Sequence, residues 1–119
     1  MWKADKKTIF QHVDCSTGNS LAAPLAPIYT LDTVFNSCCS TKDVYESTTK
    51  GLIQQVIEGF NSTVFAYGQT SSGKTHTMRG NEEEPGIIPQ AIQEIFDLIN
   101  NATDREFLLR MSYMEIYNE

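Results

Sequence analysis

The sequence predicts an α/β domain with a sheet of parallel strands and helices packed on its faces. Two observations carry this prediction. Short apolar runs alternate with amphipathic helix patterns, and a phosphate-binding motif stands between a strand pattern and a helix pattern. The motif is residues 68–75, Gly-Gln-Thr-Ser-Ser-Gly-Lys-Thr, a full match to G-x-x-x-x-G-K-[ST]. The length of 119 residues allows one small domain and not two.

Three short runs, rich in β-branched and aromatic residues, predict strands before the motif. They are residues 8–13, residues 29–35 and residues 63–67, and the last of them leads directly into the motif. Residues 14–27 carry Ser, Thr, Gly, Asn and two prolines, so they predict a loop between the first two strands.

Residues 40–60 form the clearest helix pattern. Ser40 and Asp43 match a capping box at its start, and Gly59 supplies a stop at its end. Strand, helix and strand in this order are the unit of a parallel sheet with a right-handed crossover. Side chains recur at helical spacing along one stripe, namely Val44, Tyr45, Thr48, Leu52, Ile53, Val56, Ile57 and Phe60.

After the motif, the pattern predicts two helices and a last strand. The first helix is expected to begin within the motif, with its N-terminus directed at a bound anion. Residues 79–86 break it, because they hold two glycines and a proline, and their three glutamates predict a solvated loop. A second helix is expected over residues 88–99. Residues 106–117 predict a long strand with apolar side chains on both faces.

Charge and composition exclude several classes of protein. The net charge of −6 and the pI of about 4.8 disfavour a nucleic-acid partner, which needs clustered Lys and Arg. No apolar run approaches the ~20 residues of a membrane span, so no membrane segment is expected. The N-terminal charges have no apolar stretch behind them, which excludes a secretory signal. The cytosol or the nucleus is the expected compartment.

The motif predicts binding of a nucleoside triphosphate with Mg²⁺. Its glycines let the chain curl so that successive N–H groups face phosphate oxygens. Lys74 can reach the β- and γ-phosphates, and the Thr75 hydroxyl can ligate Mg²⁺. The nearest match to the guanine signature Asn-Lys-x-Asp, residues 101–104, has Ala in place of Lys, so ATP is expected over GTP. No carboxylate is a convincing general base, and no catalytic residue is identifiable in these residues.

The flanks of the motif resemble the kinesin motor domain. Residues 59–78 extend the match to twenty positions, which include Phe-Ala-Tyr-Gly-Gln-Thr before the glycine-lysine turn and Thr-His-Thr-Met after it. Residues 86–92 and 112–119 resemble two further kinesin stretches, and the resemblance spans most of residues 29–119. Within the family, residues 104–119 look most like the centromere-associated protein E group.

The resemblance implies a P-loop NTPase-type sheet with flanking helices, and an ATP-driven microtubule motor with Mg²⁺ as cofactor. His76 falls where kinesins place a residue near the adenine, and Thr75 is the expected Mg²⁺ ligand. On the sequence alone, His76 is a helix residue without a special role. The expected nucleotide-binding residues are Gly68, Gln69, Thr70, Ser71, Ser72, Gly73, Lys74, Thr75 and His76.

The resemblance also sets expectations for the whole protein. Residues 1–119 are expected to be a partial motor domain that lacks the family's first strand and everything after the strand ending near Tyr117. Contact with microtubules would then lie mostly in other parts of the motor, and the full-length protein is expected to be a coiled-coil dimer. The expected location is the cytoplasm and the microtubule cytoskeleton, with the kinetochore and spindle implied by the centromere-associated group.

Two alternatives stay open beside a working motor. The chain can be a truncated, non-motile nucleotide-binding remnant without ATPase activity, and the 119 residues by themselves are expected to be inactive. It can also belong to another phosphate-loop class, such as a small kinase. That class needs a base-binding lid and catalytic arginines, whereas the arginines of this chain are Arg79, Arg105 and Arg110.

Overall fold

The structure of the chain is a computed structural model that describes residues 2–4, 7–11 and 28–117. Helices α1, α2 and α4 contact one another, and α3 contacts α4. This helical group carries the phosphate-binding motif, because α3 begins inside it. In chain order, the helices of the described residues are α1 (Thr41–Thr48), α2 (Lys50–Ile57), α3 (Lys74–Met78) and α4 (Ile87–Asn101).

The strands of the described residues precede the helices and run antiparallel. They are β1 (Trp2–Ala4), β2 (Thr8–Gln11) and β3 (Ile28–Thr30). β2 is central, and its Ile9 lies opposite Ala4 in β1 and opposite Tyr29 in β3. Residues 8–11 of the first predicted strand are therefore confirmed as part of a strand, whereas of the second, predicted over 29–35, only residues 29 and 30 are. Residues 12–27, which hold the end of the first predicted strand and the predicted loop, lie outside the described residues.

The predictions of strands over residues 63–67 and 106–117 are wrong. Neither segment forms a strand, and within the described residues no strand lies beside either one. An extended run becomes a strand only when its backbone N–H and C=O groups have partners on a neighbour. The side chains are correspondingly open to solvent, with Phe65 80%, Tyr67 95% and Tyr113 88% exposed. The expected parallel strand–helix–strand unit is thus not formed in this part of the chain.

The single helix predicted over residues 40–60 is divided into α1 and α2 at Thr49. The Thr48 hydroxyl donates to the Val44 carbonyl oxygen at 2.6 Å. Hydroxyls that bond back to the preceding turn in this way bend helices and compete with the backbone ladder. This hydroxyl bond, one residue before Thr49, therefore favours the break, which the apolar stripe of the sequence did not reveal.

Both outer ends of this helical pair match their predictions. Ser40 Oγ accepts from Asp43 N at 3.2 Å, while Asp43 Oδ2 accepts from Ser40 N at 2.8 Å, which completes the capping box. The Ser40 N–H, and then its hydroxyl, hold the pKa of the Asp43 carboxyl below its ordinary value of 3.8. The capping bonds of the Asp43 carboxylate therefore stabilise the fold at pH values above 3.8. This stabilisation is lost as the pH falls through the lowered pKa. At the other end, the N–H groups of Gly59, which has φ 105°, and of Phe60 each donate to a carbonyl oxygen of the last turn of α2 at 3.0 Å. This pattern is a Schellman motif, which ends the helix.

The core lies where α1, α2 and α4 meet. Tyr45, Ile53 and Ile87 supply its buried apolar side chains, and Thr41 and Thr49 are buried beside them. The second predicted helix is confirmed as α4, which extends slightly beyond the predicted range at both ends. Part of its apolar face remains open, since Ile88, Ile92 and Phe96 are 48%, 45% and 48% exposed.

Residues 79–86 form a closed loop between α3 and α4, hereafter the excursion loop. Gly80 and Pro85 form an isolated β-bridge at its base, and Gly86 N donates to the Arg79 carbonyl oxygen at 3.1 Å. Gly80 has φ 67°, and a Cβ there would collide with the backbone of Glu84 and of Gly86. The predicted interruption of the helix after the motif is confirmed, and glycine is required at this position.

Replacing Gly80 with alanine is expected to open the excursion loop. The left-handed backbone costs a non-glycine residue about 1–2 kcal/mol, and the collision with backbone atoms adds to that cost. Hydrogen exchange at the Gly86 amide should therefore accelerate at least about tenfold. Gly51→Ala is the matched control, because a Cβ at Gly51 meets nothing within 4 Å, and it should leave this amide unchanged. Equal exchange of the Gly86 amide in the two variants would show that glycine is not required at position 80.

Candidate phosphate-binding site

The phosphate-binding motif forms an open loop at the surface, just before α3. Ser71 at φ 63° and Gly73 at φ 90° adopt left-handed backbone conformations, and Ser72 N donates to the Gln69 carbonyl oxygen at 3.2 Å. Left-handed residues that alternate with right-handed ones curl the backbone into a concavity, in which consecutive N–H groups can face one anion. Residues 68–73 are all exposed, so an incoming ligand can reach this backbone.

The Lys74 side chain bends back over this loop. Its Nζ donates to the carbonyl oxygens of Gly68 at 2.8 Å and of Gln69 at 2.7 Å. The ammonium group of Lys74 therefore lies against the first residues of the loop, although Lys74 itself follows the last one. Because an ammonium has three donors and these bonds use two, a donor remains for an oxygen of a ligand.

The loop is closely packed against itself at Gly68. A Cβ built on Gly68 would lie 2.5 Å from Ser72 Oγ, so a larger residue cannot enter without displacing that side chain. The exposed Thr75 hydroxyl belongs to the first turn of α3, directly after Lys74. The curled backbone and the Lys74 ammonium fit a triphosphate, and the adjacent Thr75 hydroxyl fits the Mg²⁺ that accompanies it.

The helix after the motif begins at the predicted place but is short. Gly73 is its N-cap, and Thr77 N donates to the Gly73 carbonyl oxygen at 3.0 Å. The helix ends at Met78 because the excursion loop follows. Five residues carry few aligned peptide dipoles, so the loop amides and Lys74 are the main groups that attract an anion here.

One functional contact was not foreseen from the sequence. Of the three glutamates predicted to be solvated, Glu84 is half-buried, and its Oε1 accepts from Thr41 N at 2.8 Å. Its Oε2 lies 3.7 Å from His76 Nε2. Glu82 and Glu83 are exposed, as predicted. No local signal marks Glu84, because Thr41 is 43 positions away in the chain.

The predicted site residues form one continuous unit, from Gly68 to His76. No group of three or more His, Cys, Asp and Glu side chains in the described ranges is arranged to hold a metal ion. In the same ranges, no helix combines the length and the apolar character that crossing a bilayer requires.

Comparison with known proteins identifies the family. A sequence model of the kinesin motor domain matches residues 5–119. Kinesin-like protein KIN-7I of Oryza sativa subsp. japonica is 54% identical over 105 residues, which cover 87% of this chain and 9% of that protein. Centromere-associated protein E of Homo sapiens is 49% identical over 118 residues, which cover 99% of this chain and 4% of that protein.

A solved structure of a fast kinesin, described for its ATPase mechanism and its interactions with microtubules, has a TM-score of 0.70 and 27% identity. The match covers 86% of this chain and 27% of that kinesin chain. The fold is therefore that of a P-loop motor domain of the α/β class, represented in part. Because the family model matches nearly the whole sequence, the chain belongs to the kinesin family. It spans less than a tenth of the length of either curated relative named above.

Proposed function

We propose that this chain supplies the ATP-binding part of a kinesin-type microtubule motor. The observation that carries the proposal is the position of the Lys74 ammonium, held against the first residues of a curled and exposed loop. That arrangement supports a phosphate site, and membership of the kinesin family supports ATP as the nucleotide. Residues 1–119 would then be one part of a motor domain.

Each residue of the loop has a role in this proposal. The backbone N–H groups of residues 68–73 bind phosphate oxygens, and Lys74 neutralises charge on the β- and γ-phosphates. Thr75 offers its hydroxyl to Mg²⁺, which supplies Lewis-acid stabilisation of phosphate charge when it is bound. His76, exposed in the first turn of α3, would lie near the base.

ATP hydrolysis coupled to movement would belong to the complete motor domain. Its microtubule contacts lie mostly in parts other than these residues, which agrees with the acidic net charge of −6 opposite the acidic surface of tubulin. The cytoplasmic microtubule cytoskeleton is the corresponding location, and the likeness to centromere-associated protein E suggests the kinetochore and spindle. A coiled-coil dimer is the assembly expected for the complete protein.

Direct titration of the 119-residue chain tests nucleotide binding. MgATP should bind, and removal of Mg²⁺ by EDTA should weaken binding by about tenfold or more, equal to about 1.4 kcal/mol. Thr75→Ala should reproduce that loss, whereas Thr103→Ala, at an exposed threonine outside the loop, should bind as the unchanged chain does. MgGTP should bind more weakly than MgATP. If no calorimetric or fluorescence signal accompanies MgATP addition, the proposal fails.

A second candidate is a nucleotide-binding remnant without ATPase activity. The observation that favours it is the exposure of most apolar side chains of the segments at 63–67 and 106–117 in the part of the chain that the structure describes. This candidate shares the phosphate site and differs only in the absence of turnover. Phosphate release by the 119-residue chain would exclude this candidate, whereas absence of release is expected from both, because hydrolysis would belong to the complete motor domain.

A further inference from the structure

The Glu84 carboxylate connects the excursion loop and the adjacent α3 with α1, whose Thr41 lies 43 positions away in the sequence. Its Oε1 accepts from the backbone N–H of Thr41, the first residue of α1, at 2.8 Å. Its Oε2 lies 3.7 Å from Nε2 of His76, in the helix that follows the phosphate loop. One side chain of the excursion loop therefore reaches both the beginning of α1 and the exit of the phosphate loop.

The excursion loop holds this carboxylate in place. Asn81 Oδ1 accepts from Glu83 N at 3.0 Å and from Glu84 N at 2.7 Å, and Asn81 N donates to the Glu84 carbonyl oxygen at 3.0 Å. The loop is also anchored to α1, since Thr41 Oγ1 donates to the Pro85 carbonyl oxygen at 2.8 Å. The backbone of Glu84 is thus fixed on both sides, and its side chain is presented to α1 and α3 together.

Helix α3 depends on such contacts for its position. It has five residues, and isolated helices of this length are unstable in water. Gly73 and Gly80, both in left-handed conformations, lie at its two ends. Lys74 and Thr75 form the first turn of this helix, so a change in the orientation of α3 moves both side chains relative to the loop.

We propose that Glu84 is a positioning residue for the phosphate site. It anchors α3 to the N-terminus of α1 through His76, and it thereby sets the orientation of Lys74 and Thr75. The effect on nucleotide affinity rests on the proposed ATP-binding function, whereas the structural link between α1 and α3 does not. Glu84 itself touches no phosphate-binding residue of the loop.

The two contacts of Glu84 differ in expected strength. The His76 and Glu84 side chains are 56% and 41% exposed and attract each other as an ion pair only when His76 is protonated, so the expected effect of this contact is about twofold to fivefold. The bond from Thr41 N to the Glu84 carboxylate involves a charged group, and Thr41 is buried. Loss of this bond should therefore accelerate exchange of the Thr41 amide at least about tenfold. The two contacts can therefore be separated by substitutions that remove charge alone or the whole side chain.

Hydrogen exchange on the unliganded chain tests the structural link. Glu84→Ala should accelerate exchange at the Thr41 amide and at the α3 amides, here the amides of Thr77 and of the C-cap residue Arg79, whose bonds to the Gly73 and Thr75 carbonyl oxygens close the turns of α3. Glu84→Gln retains an oxygen acceptor for Thr41 and should affect mainly the α3 amides. Glu83→Gln removes the same charge from an exposed neighbour and should change neither group. If Glu84→Ala leaves the α3 amides at their original rates, Glu84 does not position α3.

Titration of MgATP into the same variants tests the effect on affinity. Glu84→Gln and His76→Gln should each weaken binding about twofold to fivefold, and the double variant should be no weaker than the weaker single variant. Additive losses would overturn the coupling between the two residues, because a purely structural role of Glu84 does not require His76. Failure of the unchanged chain to bind MgATP would refute the proposed function and the affinity effect, while the exchange experiment would still decide the link between α1 and α3.

Discussion

Lys74→Ala is expected to abolish measurable nucleotide binding. The ammonium group is the positive charge of the loop, and it already lies against the Gly68 and Gln69 carbonyl oxygens. A hydrogen bond to a charged group contributes about 1.5–3 kcal/mol, so losing the bonds to two phosphates should weaken binding by about 100-fold or more. Calorimetric titration with MgATP measures the loss directly.

The substitution also removes the two bonds from Lys74 to the carbonyl oxygens of Gly68 and Gln69, so two controls are needed. Lys42→Ala deletes the same charge from an exposed position on α1 and should leave MgATP affinity unchanged. Circular dichroism should show equal helix content in both variants, because Lys74 contributes little to the packing of α1, α2 and α4. If Lys74→Ala binds MgATP within threefold of the unchanged chain, the loop is not the nucleotide site.

The 119-residue chain is expected to show no microtubule-stimulated ATPase activity. Phosphoryl transfer by a motor of this class needs groups that place the attacking water and segments that sense the γ-phosphate. The sequence has no apolar strand ending in Asp-x-x-Gly. In addition, the segment at 63–66, which leads into the phosphate loop, lines a cleft of about 710 Å³ together with Val44, Leu52 and Ile87.

Phosphate release with and without added microtubules tests this prediction. A kinesin motor domain of full length, assayed in parallel, should show the stimulation that the 119-residue chain lacks. Release that rises with microtubule concentration, and that disappears in Lys74→Ala, would show that the chain hydrolyses ATP by itself. The remnant candidate would then be excluded.

The phosphate loop could be located from the sequence because its residues are contiguous. Eight positions specify both the turn and the lysine, and no distant contact is needed to form them. The capping box at Ser40 and the stop at Gly59 were predictable for the same reason, since their hydrogen bonds join residues within one turn. Local chemistry therefore accounts for the parts of the fold that the sequence correctly predicted.

Two of the features that the sequence did not predict depend on contacts between distant residues, and the third depends on a local hydroxyl bond. The pattern of residues 63–67 reports a preference for a buried strand, but a strand also requires a neighbour, and none is present in the described chain. The break at Thr49 depends on a hydroxyl bond that an apolar stripe does not encode. The role of Glu84 depends on Thr41, which lies 43 positions away. Its exposed neighbours Glu82 and Glu83 are also glutamates, so residue type alone does not distinguish Glu84.

The closed base of the excursion loop allows the loop to vary in length. The bridge between Gly80 and Pro85 and the bond from Gly86 N to Arg79 fix where the loop leaves α3 and where it enters α4. Glu82 and Glu83 project from the tip into solvent. Extra residues inserted between them would enlarge the tip without separating the ends. Related chains can therefore differ in loop length here while they keep the same two helices in register.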